Sequence, residues 1–305
     1  MDYWRKSPRA FWSLGLPPTF WLFAFFLAPL ALIWGLSFGE KQGILEVAIT
    51  GTLDNYLRAL QPLYLQIFLK SFWYAGLTTF FCLVISFPVA LAITFASDRW
   101  KPILLLLVIL PFWTNLLIRT YALIAVLRTN GYLNDLLELI WQAADGLLRL
   151  LGLGEWQLLG ESFTRWELLY NNFAVVYGLV YVHLPFMVLP LYAALDRMDR
   201  SYIEASLDLG AGQWRTFRSV IVPLALPGII SGVIITFIPA LGSYLTPDLL
   251  GGTDSQMIAN VIERQFKSAN DWPFGSALSF LLMYLTFFAL AVRAVYTRRS
   301  GLEAT

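Results

Sequence analysis

Few side chains in this 305-residue chain could do covalent or acid–base chemistry, and most of those stand alone. There is one cysteine, Cys82, and one histidine, His183, so neither an internal disulfide nor a zinc or iron–sulfur site is expected. No G-x-x-x-x-G-K-S/T phosphate loop, G-x-S-x-G elbow, H-E-x-x-H helix or Gly-rich dinucleotide turn occurs. No catalytic residue and no metal ligand is therefore assigned. What stands out instead is a charge in an apolar place. Arg119 follows Pro111 and Asn115 at the spacing of one helical stripe. An arginine at the centre of a membrane helix costs about 2.5–3.5 kcal/mol on insertion scales, less where it can snorkel. Two roles offset such a cost: holding a solute, or, in a helix kinked at Pro111, binding neighbouring backbone carbonyls together with Asn115. His183 and Cys82 lie in apolar runs and read as packing residues.

The elements that must position Arg119 are membrane spans. Charged residues make up 13% of the chain and hydrophobic ones 58%, with a mean hydropathy of +0.65. Soluble domains carry about 25% charged residues. The 49 aromatic residues exclude a disordered chain, and a net charge of +1 leaves no basic face for nucleic acid. Six apolar runs, 14–38, 71–96, 102–126, 173–195, 220–241 and 276–296, are each long enough to cross a ~30 Å hydrocarbon layer. They are continuous, whereas the strands of a membrane β-barrel alternate. The expected fold is all-α and integral to the membrane, with six helices in a single domain, 1–305. The first run follows Arg5, Lys6 and Arg9 and reads as an uncleaved anchor.

Lys and Arg orient the bundle. With the N-terminus inside, inner segments hold twelve of them and outer connections eight, while thirteen of the twenty acids fall outside. Both termini are predicted to be cytoplasmic. Ser97-Asp98-Arg99-Trp100-Lys101 forms a tight inner turn. In the long outer connection 127–172, residues Tyr132 to Leu151 have helical periodicity, with Leu136, Leu137, Ile140, Ala144, Leu147 and Leu148 on one face. This helix is expected on the membrane surface or against the bundle.

The inner segment 196–219 is too elaborate for a linker. Ser201 is expected as an N-cap, with Glu204 completing a capping box. Gly210 and Gly212 suit the end of that helix, and Trp214, Phe217 and Val220 continue a second one. Apolar side chains beside Arg215 and Arg218 are thereby exposed on short helices, a pattern that docks on a partner.

Here the chain resembles a known family. Glu204-Ala205-Ser206, then Gly210, then Val220-Ile221-Val222-Pro223 is similar to the EAA signature of ABC-importer permeases, with Ser206, Val220 and Val222 as small departures. Pro111-Phe112-Trp113-Thr114-Asn115-Leu116-Leu117-Ile118-Arg119, Leu184 to Tyr192, Asp248-Leu249-Leu250-Gly251-Gly252 and Asp271-Trp272-Pro273-Phe274-Gly275 resemble blocks of polyamine permeases, in particular their B-type subunit. The stretch from Trp141 to Glu167 looks longer than in that subunit.

The resemblance implies a type I permease of the bacterial inner membrane. It also implies a second permease subunit, two cytoplasmic ATPase subunits and an extracytoplasmic binding protein. ATP and Mg would be bound by the ATPases, with no cofactor in this chain. Glu204, Ala205, Ser206 and Gly210 become the ATPase-coupling residues. A small polycationic substrate needs carboxylates for its charges and aromatic faces for its stem. Asp248, Tyr244, Trp113, Phe112, Asn115 and Arg119 are therefore the substrate-pathway candidates, although Pro247-Asp248 before Gly251-Gly252 also reads as a turn. Asp271 is expected to cap the last span. Ferric iron, another amine or a small organic anion are alternative substrates. A stand-alone secondary transporter is opposed by the lack of acids well inside the spans.

Overall fold

The computed structural model describes residues 8–43, 46–150 and 163–299. The chain starts with α1 (Pro8–Leu22), a π turn at Phe23–Leu27 and α2 (Ala28–Leu36). A small antiparallel hairpin follows, β1 (Gly39–Lys41) with β2 (Val47–Ile49), and then α3 (Asp54–Ala59). The long α4 (Pro62–Phe95) turns into α5 (Lys101–Ile109), a 3-10 turn at Leu110–Trp113, α6 (Leu116–Leu127) and α7 (Tyr132–Leu150). Next come α8 (Asn172–Asp196), α9 (Ser201–Asp208), α10 (Gln213–Thr216), a π turn at Phe217–Ile221 and α11 (Val222–Leu241). The chain closes with α12 (Leu245–Leu250), α13 (Ile258–Lys267) and α14 (Trp272–Arg299).

Among the described residues, five continuous helical stretches are long and apolar enough to cross a membrane, and α5 with α6–α7 forms a sixth only as a bent pair. This corrects the expected third span: residues 102–126 are not one helix. Pro111 lacks the N–H that would continue the ladder, and Thr114 is extended at ψ 145°. Leu116–Leu148 consequently runs at 95° to Lys101–Trp113. The β1–β2 hairpin is a second feature that an all-α expectation did not contain.

The chain divides into two compact units, Met1–Gln66 with Val261–Thr305, and Ile67–Asn260. In the first, polar contacts secure the region that follows α2. The Trp34 indole N–H donates to the Tyr284 hydroxyl over 2.8 Å, and Asn55 donates to the carbonyls of Ser37 and Gly39. Arg58 pairs with Asp271 at 2.8 Å and lies 3.9 Å above the Phe274 ring. Asp271 also accepts from the Phe274 N–H at the start of α14, the cap expected for it. The window Trp12–Leu36 buries no residue within the chain.

In the second unit, α8 and α11 form the main helix pair. They approach closely because α11 presents Gly228 and Gly232 one turn apart. A Cβ at Gly228 would lie 2.5 Å from Ala194 Cβ and 2.8 Å from the Pro190 carbonyl oxygen, and one at Gly232 would lie 2.6 Å from Met187 Sδ. Around this crossing Cys82, Ala90, Met187, Leu191, Leu195, Ile221 and Ala225 form a buried core. Cys82 is part of it, as expected. His183 is buried too, its Nδ1 2.8 Å from the Leu179 carbonyl oxygen.

Candidate functional site

The 196–219 loop is a two-helix projection with a rigid base. Lys101 bonds Asp196 at 2.9 Å, tying the α4–α5 turn to the end of α8, and that bond holds the ammonium above its usual range. Arg200 donates to the Thr94 carbonyl oxygen over 3.3 Å and sits 5.6 Å over the Phe95 ring. The cap of α9 corrects the sequence expectation. Ser201 is the first helical residue, and the Asp199 carboxylate accepts its N–H at 2.9 Å. Those bonds from Ser201 lower the Asp199 pKa below the usual carboxylate value. Asp199 thus does the work assigned to a Ser201–Glu204 capping box, and Glu204 is left exposed in the first turn. The cue was an acid two residues before a serine, an Asx turn.

Gly210 ends this helix at φ +81°, a left-handed conformation that suits glycine. Its N–H reaches the Leu207 carbonyl, and Ala211 N–H reaches that of Ser206. The Ser206 and Thr216 hydroxyls, 3.0 Å apart, join α9 to α10. Ile203 and Phe217 pack on the membrane core, while Tyr202, Leu207, Leu209 and Trp214 face outward, Leu209 being 88% exposed. Glu204 and Ala205 share this exposed side of the loop, whereas Ser206 is half-buried by its bond to Thr216. Such a projection can pass a push on its outer face directly into α11 and α8.

The broken span separates the residues that the sequence placed on one stripe. Pro111 lies in the 3-10 turn, Asn115 caps α6 by accepting from Leu117 N–H at 2.8 Å, and Arg119 lies one turn into α6. Pro111, Asn115 and Arg119 therefore share no helical face. Arg119 instead sits 5.5 Å over the Phe112 ring, which meets Phe186 of α8 edge-on at 5.0 Å. His183 is next in line, 5.9 Å from Phe186. Nε and Nη1 of Arg119 are buried and have no hydrogen-bond partner among the described residues. Trp113 is 74% exposed, apart from this stack.

Tyr244 and Asp248 form a separate exposed pair at the start of α12. The Tyr244 carbonyl accepts Asp248 N–H at 3.0 Å and Asn260 Nδ2–H at 2.7 Å. Asp248 is thus a helical residue, not part of the open turn that its Pro and Gly neighbours suggested. Sequence reasoning missed Phe186 and Asn260, whose roles arise only from tertiary contact.

Several apolar spans and one rigid, exposed two-helix loop define a membrane transport subunit. The chain belongs to the family of binding-protein-dependent transport system inner membrane components, whose profile matches residues 13–300. It is similar to the spermidine/putrescine transport system permease protein PotB of Escherichia coli, 40% identical over 282 residues, 92% of this chain and 94% of that protein. The Haemophilus influenzae PotB is 37% identical, covering 93% and 94% of the two chains. The Escherichia coli inner membrane ABC transporter permease protein YdcU is 29% identical, covering 98% and 92%. In fold the chain matches a bacterial ABC transporter involved in the import of the acidic polysaccharide alginate, with a TM-score of 0.70 and 15% identity over 98% of this chain and 99% of that one. It is accordingly an inner-membrane permease subunit of an ABC importer, the non-catalytic membrane part of such a system.

Proposed function

We propose that this single-domain permease, with both termini cytoplasmic, forms half of the translocation pathway of a spermidine/putrescine importer. The observation that carries the reading is 40% identity to a spermidine/putrescine permease across 94% of its length. A second permease subunit supplies the other half. Of two cytoplasmic ATPases, which bind ATP and Mg, one seats on Glu204, Ala205, Ser206 and Gly210, and a binding protein delivers the cation from outside. The exposed apolar face of the 196–219 loop supports the ATPase contact, and an alginate importer crystallised with its periplasmic protein supports the delivery step.

Labelled putrescine uptake by the full complex, competed in parallel with spermidine, ferric iron and an anionic solute, tests the substrate class. Spermidine should compete and the other two should not. The unpartnered N–H groups of Arg119 favour one rival, a small anion, and uptake of the labelled anion with none of labelled putrescine would establish it. In the polyamine reading Asp248 and Tyr244 hold one ammonium group. Asp248→Asn should then cut uptake by roughly tenfold, the effect of losing about 1.4 kcal/mol of a charge-assisted contact. Assembly with the ATPases should be unchanged. Wild-type uptake by this variant would retire Asp248 as a ligand.

A further inference from the structure

We infer that α7 is an interfacial helix whose exposed apolar stripe beds in the lipid headgroup–acyl boundary, on the side of the bilayer opposite the 196–219 loop. The argument begins with direction. Leu116–Leu148 runs at 95° to Lys101–Trp113, the apolar half-span that packs on α8. A segment perpendicular to a membrane-crossing helix runs along the membrane plane. The single crossing of α8 separates it from the 196–219 loop, which puts the two on opposite sides.

Three faces of α7 then meet three surroundings. At about 100° per residue, Leu133, Asn134, Leu137, Glu138, Trp141 and Ala144 share one arc, and all are buried or half-buried against the rest of the protein. Asn134 anchors that arc: its side chain donates to the Trp166 carbonyl and accepts from the Trp166 N–H, each at 2.9 Å. Arg165 adds bonds to Asp135 and Glu138 at 3.1 and 2.9 Å. The adjoining arc holds Asp135, Gln142 and Gly146, exposed and suited to water.

The third arc holds Tyr132, Leu136, Ile140, Ala143, Leu147 and Leu150, all exposed, with Leu150 at 86%. Leu139, 64% exposed, marks the seam between it and the water face. Protein, water and hydrocarbon on successive thirds is the environment of a helix lying at a bilayer surface beside its own bundle. The stripe is also continuous with lipid-facing surface, because α6 leads into it with Ile118 66% and Tyr121 58% exposed. Tyr132 at its start is an aromatic of the kind that settles at headgroup level.

The test places single cysteines at Leu136, Ile140, Leu147 and, as the water-face control, Gln142. Each is made in a Cys82→Ala background, labelled with an environment-sensitive dye and carried in the assembled complex in lipid nanodiscs. The stripe labels should lose roughly half or more of their emission to shallow doxyl-labelled phosphatidylcholine and little to aqueous iodide, with the reverse at Gln142. Stripe labels quenched by iodide as strongly as the Gln142 label overturn the inference. So do stripe labels that become shielded only when the extracytoplasmic binding protein is added, since that outcome assigns the face to the protein.

Discussion

Gly228→Val should remove the permease from the assembled complex. Of the three atoms that a Cβ would meet, two are backbone: the Pro190 oxygen at 2.8 Å and Leu191 Cα at 3.3 Å. The third, Ala194 Cβ at 2.5 Å, has no rotamer to move into. Neither helix can yield locally, so α8 and α11 must separate along their length and open the core at Leu191 and Ala225, both fully buried. Overpacking of a core costs typically 1–3 kcal/mol and more where backbone is struck, a large part of a total stability of about 5–15 kcal/mol. Gly228→Ala should already lower the melting temperature of the purified subunit. Adding Ala194→Gly should restore only part of that loss, because the Pro190 carbonyl stays in place. Full restoration, or a Gly228→Val protein that melts like the parent, would show that the crossing is looser than its contacts indicate.

Gly210→Val should leave insertion intact and abolish ATP-driven uptake. At φ +81° a β-branched residue is strained by about 1–2 kcal/mol or more, and nothing packs closely enough around Gly210 to hold the strain in place. The loop relaxes by turning α9 away from α10, which breaks the 3.0 Å Ser206–Thr216 contact and misdirects Leu209 and Trp214. The neighbouring glycine is an internal control. Gly212 has φ −70° and open space for a side chain, so Gly212→Ala should transport normally. Uptake and ATP hydrolysis measured together on reconstituted complexes separate the cases. Gly210→Val should keep basal hydrolysis while transport is lost, and equal transport by both variants would remove the special role of Gly210.

How much of this was legible in the residues depended on the range of the interactions involved. The spans were, since hydropathy integrates over about 20 positions, and the expected 173–195 became Asn172–Asp196. The same averaging hid the break in the third span: Leu110–Trp113 and Thr114 are only a few residues inside an apolar run, and Pro111 alone was read as a kink. The amphipathic helix from Tyr132 was visible because one side of it is polar; of its expected residues, Leu151 lies outside those described, as does 151–162 of the long outer stretch. The β1–β2 hairpin has three residues per strand, too few to show a period of two. In the candidate site, types and spacing brought Arg119 and Phe112 forward, and the structure stacks them. The stripe drawn through Asn115 failed because Asn115 caps a new helix. Asp199, Phe186 and Asn260 went unseen for one reason: each matters through a partner that the chain's path has to deliver.

The π turn at Phe217–Ile221 shifts the helical phase between the 196–219 loop and the membrane core. One extra residue in a turn rotates everything before it by about 100° relative to everything after it. In an unbroken α-helix, Trp214, Phe217 and Ile221 would share a face, and a side chain aimed at a partner would be aimed at the core as well. Here Trp214 is 74% exposed while Ile221, seven residues on, is buried. Trp214 can therefore face outward while Phe217, stacked on it at 5.4 Å, still packs on the core, so that a load on the tryptophan meets the membrane helices one residue contact away.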